Sequence, residues 1–271
     1  MLLADVRAVA FNPSTASDNR IHADDEAQRF GFRGGLVPGV VVYAYLVEPA
    51  LRAWGRDWLE RGAATIDLRR PLYDGAPYRV SVAATSASAY QGGVESEPGL
   101  VCAAGEVSLG APDDAAERPR RRGDPPAPSR DDRPEASRLT LERLAEAGLG
   151  SIDLAWRGAG EMAWTSRDPA LMPDLVRPDR EGLAGPAFLL GLANWALAAN
   201  VRLGPWIHVT SRARHLRAVG LGTTLRVEAR VTGLESRRTG EVVELEVAAF
   251  DGEAPVLDAV HRAIYLLHPR T

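Results

Sequence analysis

The chain has 271 residues, enough for one large domain or two small ones, and its 32 basic and 36 acidic residues leave a net charge of −4. This charge offers no basic surface for nucleic acid, and no apolar run reaches the ~18 residues of a membrane span. The amino terminus lacks a signal-peptide pattern and the single cysteine, Cys102, cannot form an intramolecular disulfide, so we expect a cytoplasmic protein with a buried thiol.

The first predicted helix follows a glycine-rich loop. Residues 39–47 are apolar on every face, which predicts a helix buried on all sides. Pro38 precedes the first turn, where a missing amide costs little, and Pro49 predicts a kink or a second short helix ending at Trp54. A second helix of the same character is predicted at 186–199.

Long alternating segments surround both helices. They are YRVSVAATSAS, VCAAGEVSL, TTLRVEARVTG, EVVELEVAAF and DAVHRAIYLL. One face of the predicted sheets is apolar and the other is partly polar, which is typical of antiparallel sheets. A sheet that curls around one apolar helix satisfies both patterns, so the predicted fold class is α+β.

Residues 111–138 separate two similar halves. Fourteen of these residues are charged and six are proline, so the segment cannot bury enough apolar surface to offset its ordering entropy. We expect a solvated linker between an N-terminal repeat, residues 1–110, and a C-terminal repeat, residues 139–271. The halves align without a gap at a shift of 147 residues, which places Gly75 on Gly222.

Two segments resemble the MaoC-like acyl dehydratases and hydratases of the hotdog fold. NRIHADDEAQRFGFRGGLVPG, residues 19–39, is similar to the family's hydratase segment. RRPLYDGAPYRV, residues 69–80, is similar to the family's next characteristic feature, a proline and a glycine turn that lead into a long strand. The resemblance covers residues 17–82 and is only architectural over 184–270. It implies a double hotdog, two repeats in one chain, each with a long antiparallel sheet wrapped around a central apolar helix.

The resemblance also implies a reaction. Enzymes of this family are lyases that add water to, or remove it from, an acyl thioester, here one carried by coenzyme A or acyl carrier protein. His22 would be the acid–base residue, with Ser17, Asp18 and Asn19 positioning the water. Ser17 stands where the family has an aspartate, and Asp18 lies one residue out of register.

The start of the first helix is the expected binding site for the thioester oxygen. The resemblance implies a backbone amide at Gly39, and we include Val40, because helix termini carry unsatisfied amides and positive potential. Gly35, Pro38 and Asn194 are predicted to contact the substrate. Asn194 lies among apolar helix residues, where a buried amide either braces backbone or lines a pocket.

The second repeat has Pro169 at the position equivalent to His22, so acid–base chemistry is expected in the first repeat only. Three arginines beside His208 and His215 suggest a phosphate ligand, although arginines on an outward strand face are usually solvated. His261 alternates with apolar residues and is expected to be a partly buried strand residue.

Other functions stay open. A hotdog thioesterase would need an acid or an asparagine near the helix start, and Glu48 lies too far along the helix. A non-catalytic acyl-binding protein, or a family member repurposed for natural-product biosynthesis, fits the missing aspartate. The sequence has no P-loop, zinc cluster or serine elbow, so no metal or cofactor is predicted. Exposed sheet edges favour a homodimer as a further expectation.

Overall fold

The computed structural model describes residues 3–111 and 118–268. The helices in these residues are α1 (Asp24–Arg29), α2 (Gly39–Trp54), α3 (Arg56–Arg61), α4 (Arg138–Ala147) and α5 (Pro186–Asn200). The strands are β1 (Val6–Val9), β2 (Gly62–Leu68), β3 (Pro77–Ser86), β4 (Ala89–Glu97), β5 (Leu100–Leu109), β6 (Ile152–Ala155), β7 (Ile207–His215), β8 (Thr224–Arg237), β9 (Gly240–Asp251) and β10 (Ala254–Leu267). Short 3-10 helices span Arg20–His22, Pro169–Leu171 and Asp174–Val176.

These strands form one antiparallel sheet in the order β1-β3-β4-β5-β2-β7-β10-β9-β8-β6. The order is symmetrical about the central pair β2–β7, where Ala64 lies opposite Ala213. A shift of 147 residues carries Gly39, the first residue of α2, onto Pro186, the first residue of α5. The chain therefore consists of two repeats, each with five strands around one central helix, and the predicted double-repeat α+β architecture is confirmed.

The central helix α2 is buried on all sides, as its composition predicts. Every residue from Val40 to Leu51 is buried, and α2 packs against α5 in the interior. The helix continues through Pro49 to Trp54 as one element, so the predicted second short helix does not form within it. A short helix, α3, begins after Gly55, whose φ of 58° is a left-handed conformation that favours glycine.

The described part of the charged segment, residues 118–137, contacts the second repeat. The backbone amides of Arg122 and Gly123 donate to the two carboxylate oxygens of Glu228 at 2.6 and 3.1 Å. Glu228 lies in β8 and is completely buried. The first part of the predicted linker, residues 112–117, lies outside the described residues. The later part uses its polar groups to satisfy a buried carboxylate.

Two expectations from composition concern Cys102 and membranes. Cys102 is a buried free thiol in β5, as predicted, and its sulfur lies 3.4 Å from the Ser96 hydroxyl. Within residues 3–111 and 118–268, no helix is both long enough and apolar enough to span a bilayer.

Candidate active site

A cavity of about 660 Å³ opens between the two repeats. The first repeat contributes Asn19, His22 and Gly39 to its wall, and the second contributes Asn194 and His208. Its apolar wall includes Phe30, Phe32, Leu36, Leu68, Ile264 and Leu267. The imidazole of the hydratase-like segment and the first residue of the buried helix α2 therefore border the same space.

The hydrogen bonds of His22 determine its tautomer. The ring sits at the end of the 3-10 helix Arg20–His22, and Nδ1 lies 2.7 Å from the carbonyl oxygen of Leu36. A carbonyl oxygen can only accept, so Nδ1 carries the proton of the neutral ring and the lone pair lies on Nε2. The side-chain amide of Asn19 donates to Nε2 at 3.3 Å. This nitrogen is the one suited to take a proton from a ligand.

The surroundings of His22 also keep the ring neutral. Burial lowers the pKa of His22 to about 4, because removing the imidazolium from water outweighs the bond to Leu36, which acts in the opposite direction. At neutral pH the imidazole is therefore a base rather than a cation.

Asn19 links the two repeats at this point. Its Oδ1 accepts the amides of Ile21 at 3.4 Å and Trp206 at 3.2 Å, which fixes the orientation of the side-chain amide. Its Nδ2 donates to the carbonyl oxygen of Trp206 at 3.0 Å as well as to His22. Asn19 therefore caps the 3-10 helix and ties the His22 segment to the chain just before β7.

The first turn of α2 supplies free amides. Gly39 and Val40 are the first helical residues, so their N–H groups have no intrahelical acceptor, and Pro38 provides no side-chain cap. Of these two residues, only Gly39 lines the cavity. A Cβ added to Gly39 would lie 2.5 Å from Nδ1 of His208 and 2.5 Å from Cδ1 of Leu68. Only glycine allows these groups to approach so closely, and the helix end stays open for an electron-rich ligand atom.

Two of the predicted catalytic residues point away from the imidazole. The Asp18 side chain is 83% exposed and pairs with Arg130 at 2.9 Å. The Ser17 hydroxyl donates to the carbonyl oxygen of Asn19 at 3.2 Å, and neither residue lines the cavity. Among the described residues that line the cavity there is no aspartate or glutamate. No carboxylate of these lining residues supports the His22 ring.

The predicted binding residues take two different places. Pro38 and Asn194 line the cavity, and the Asn194 Oδ1 is buried without a hydrogen-bond partner in the described structure. Gly35 lies behind the site instead, because a Cβ there would come within 2.2 Å of the carbonyl oxygen of His22. The Gly35 amide donates to Asp24 at 2.7 Å. Gly35 thus permits close packing of the His22 loop, while Asn194 contributes to the cavity wall.

The arginines expected to bind phosphate are elsewhere. Arg214 pairs with Asp258 at 2.6 Å, and Arg212 is exposed, on the strand face opposite the buried residues of β7. His215 is completely buried, and its Nε2 lies 3.0 Å from the Tyr43 hydroxyl. The cavity wall instead includes Arg69 and Arg70 after β2, and Arg237 and Arg238 at the β8–β9 turn. Sequence reasoning missed this basic rim because its two halves lie far apart in the chain.

Solved structures with the same architecture align with almost the whole chain. A double-hotdog protein of Mycobacterium tuberculosis aligns with a TM-score of 0.55 and 15% identity, covering 97% of this chain and 94% of its own. A candidate MaoC-domain dehydratase of Chloroflexus aurantiacus aligns with a TM-score of 0.52 and 13% identity, covering 98% of this chain and 96% of its own. A MaoC-like dehydratase aligns at 0.51 and 11%, covering 98% of both chains. No protein-family model and no curated protein sequence matches the chain.

The fold is therefore a double hotdog, as the sequence predicted. Its structural neighbours are MaoC-like dehydratases and double-hotdog proteins. At identities of 11–15% the likeness shows the fold alone, so any activity has to follow from the chemistry of the cavity.

Proposed function

We propose that this double-hotdog protein is a hydro-lyase that adds water to, or removes it from, an acyl thioester. The observation that carries the proposal is that His22, neutral and with its lone pair on Nε2, and Gly39, the first residue of α2, border one cavity. The first group is a base and the second is an electrostatic site for a developing oxyanion.

In the hydration direction, Nε2 of His22 exchanges its 3.3 Å hydrogen bond from Asn19 for a water molecule. It takes a proton from this water while the oxygen adds to Cβ of a 2-enoyl thioester. The electron pair of the double bond moves toward the thioester oxygen, where the amide of Gly39 at the start of α2 stabilises the charge. The imidazolium then returns its proton to Cα, which yields the 3-hydroxyacyl thioester. Dehydration is the reverse sequence. One imidazole serves both proton transfers, because no carboxylate lines the described cavity.

The walls of the cavity support a carrier-bound acyl substrate. Phe30, Leu36 and Leu267 offer apolar surface for an acyl chain. At the rim, the side chains of Arg70 and Arg238 are exposed and form no ion pair with any described residue. Guanidinium groups suit the phosphates of coenzyme A or of a phosphopantetheine arm.

The missing carboxylate favours a second candidate, a non-catalytic acyl-thioester-binding protein. The same cavity would hold the thioester, and His22 would act only as a hydrogen-bond acceptor. A thioesterase has less support, because Glu48 is buried in α2 against Arg52 at 2.5 Å and is not part of the cavity wall.

Turnover of short enoyl and 3-hydroxyacyl thioesters distinguishes these functions. We expect the purified chain to interconvert crotonyl-CoA and 3-hydroxybutyryl-CoA, followed by the absorbance of the conjugated thioester, without release of free thiol. His22→Ala should lower kcat/KM by at least ~10²-fold, because it removes the general base.

The matched control is Arg29→Ala, on the adjacent helix α1, where the guanidinium is 71% exposed. This variant should retain wild-type turnover. Full activity in His22→Ala would overturn the proposal. Tight binding without turnover would select the binding protein, and thiol release would select the thioesterase.

A further inference from the structure

Three polar side chains of the second repeat form a buried cluster that the proposed chemistry does not use. His208 and Ser211 lie in β7, and His261 lies in β10; their exposures are 5%, 5% and 1%. His208 also lines the cavity beside Gly39. Burying polar groups costs free energy unless they are paired, so we expect a cluster beside the cavity to have a structural or functional role.

A β-bulge brings two of these residues onto one face. Thr210 pairs with Arg262 and His208 pairs with Ala263, so the register shifts at Val209. In a regular strand, residues three apart point to opposite faces, but the bulge turns His208 and Ser211 toward the same interior. The local geometry of β7 thus aims an imidazole at the first turn of α2.

The hydroxyl of Ser211 connects the two imidazoles. Its Oγ lies 2.8 Å from Nε2 of His208 and 2.9 Å from Nδ1 of His261, and the rings stack at 4.3 Å. Burial lowers the pKa of both histidines, that of His261 to about 3, so both rings are neutral at pH 7. When the hydroxyl proton points to one ring, the hydroxyl donates to that ring and accepts from the other.

The two remaining ring nitrogens determine where an unpaired N–H would lie. Nδ1 of His208 and Nε2 of His261 are both buried without a partner in the described structure. If Ser211 donated to His261, the unsatisfied N–H would lie at Nε2 of His261, away from the cavity wall. If it donates to His208, the unsatisfied N–H is Nδ1–H of His208, beside Gly39. Either arrangement leaves one N–H without a partner in the described structure, and only the second places it beside the cavity, where an electron-rich ligand atom can accept it.

We propose that Nδ1–H of His208 donates a hydrogen bond to the thioester oxygen, together with the free amides at the start of α2. Ser211 and His261 are positioning residues that hold the required tautomer. The second repeat, which has no counterpart of His22, would then complete the oxyanion site of the first. This inference uses the acyl thioester of the proposed function but does not require that hydration occurs.

Two substitutions of His208 distinguish the roles of its two ring nitrogens. In His208→Gln the terminal amide can reach Ser211, but no donor remains at the Nδ1 position. In His208→Asn the amide nitrogen occupies the Nδ1 position, and the contact with Ser211 is lost. His215→Gln is the matched control, since it changes another buried histidine of β7 that does not line the cavity.

The probe is butyryl-CoA labelled with carbon-13 at the thioester carbonyl, which binds but has no double bond to hydrate. In the wild-type complex a donor at the oxygen lowers the carbonyl stretching frequency in the infrared spectrum. His208→Gln should move this frequency back toward its value in free solution, and His208→Asn and His215→Gln should keep the wild-type value. With crotonyl-CoA, His208→Gln should lower kcat by ~10²-fold, as for the loss of one oxyanion donor.

Nitrogen-15 spectra of the histidines test the wild-type protein, so the inference does not depend on the folding of a variant. We expect Nδ1 of His208 to be protonated and to shift when butyryl-CoA binds. An unprotonated Nδ1, or a carbonyl frequency unchanged in His208→Gln, overturns the inference even if the protein is a hydratase. A lowered frequency that depends on His208, without hydration of crotonyl-CoA, supports the inference and overturns the proposed reaction. Failure to bind any thioester overturns both.

Discussion

The chemistry available to His22 depends on two contacts and on burial. The carbonyl oxygen of Leu36 holds the proton on Nδ1, and the low pKa of about 4 leaves Nε2 unprotonated at neutral pH. Asn19 orients the same nitrogen through bonds that end on Trp206. An asparagine thus does part of the work for which other active sites use a carboxylate, orienting the ring without raising its basicity.

At the same scale, Gly39→Ala tests the close contact between the repeats. The new Cβ would lie 2.5 Å from both His208 and Leu68, so at least one must move. We expect a loss of about 1–3 kcal/mol in the free energy of unfolding, measured in urea, and a raised KM for thioesters. Gly204→Ala, an exposed position with nothing within 4 Å, is the control and should match the wild type.

At the scale of elements, loops and strand irregularities place the site, and the central helices provide the frame. The first turn of α2 carries the amides, and the bulge in β7 aims His208 at it. The segment at residues 118–123 performs a comparable task at the far edge of the second repeat, where it covers the buried carboxylate of Glu228. A compositionally polar segment can therefore be ordered locally when it satisfies a buried charge.

This contact predicts the effect of Glu228→Gln. The amide has one acceptor oxygen in place of two, so the N–H of Arg122 or Gly123 loses its partner. We expect a loss of about 1–3 kcal/mol in the free energy of unfolding, together with faster tryptic cleavage at Arg120–Arg122. Glu253→Gln removes an 82% exposed partner of Arg121 and should change neither quantity measurably. Equal effects of the two variants would contradict the contact.

On the scale of the whole molecule, one sheet of ten strands joins the repeats through β2 and β7, and both repeats build the cavity. The edge strands β1 and β6 have four residues each, a length that limits edge-to-edge pairing. The homodimer expected from exposed sheet edges stays a prediction, because such short edges offer little surface for strand pairing. Four histidines in the interior have a pKa that burial lowers.

These histidines predict that mild acid destabilises the fold. Their folded-state pKa values lie below the usual 6.5, two of them at about 3, so between pH 6.5 and about 4 the unfolded chain binds more protons. Stability should therefore fall as pH falls through this window. Glu48 and Glu161, whose carboxyl pKa values burial raises, act in the opposite sense but are fewer.

Urea unfolding at pH 7.5, 6 and 5 measures this effect. His215→Leu should reduce the pH dependence by about 1.4 kcal/mol per pH unit, because one buried titrating group is removed. A urea midpoint that is constant from pH 7.5 to 5 would show that these imidazoles titrate normally in the folded protein.

Much of this molecule is predictable from local pattern. The apolar run at residues 39–47, the strand alternation and the shift of 147 residues between halves determine the two repeats and their central helices, because each depends on neighbours in the chain. The segment around His22 likewise indicates that His22 and Gly39, at the start of the helix, are candidate site residues. Pattern also assigned water-positioning roles to Ser17 and Asp18, whose side chains do not line the cavity, since proximity in sequence does not determine where a loop side chain points.

Only the tertiary structure decided which groups share the cavity. Asn194, His208 and the arginines of the β8–β9 turn come from the second repeat, and no periodicity connects them to His22. The sheet pairing of β2 with β7 and the bulge at Val209 bring them together. The tautomer and the pKa of each histidine follow from that packing, because hydrogen-bond partners and exclusion of water are properties of the folded chain and are not encoded in any short stretch of it.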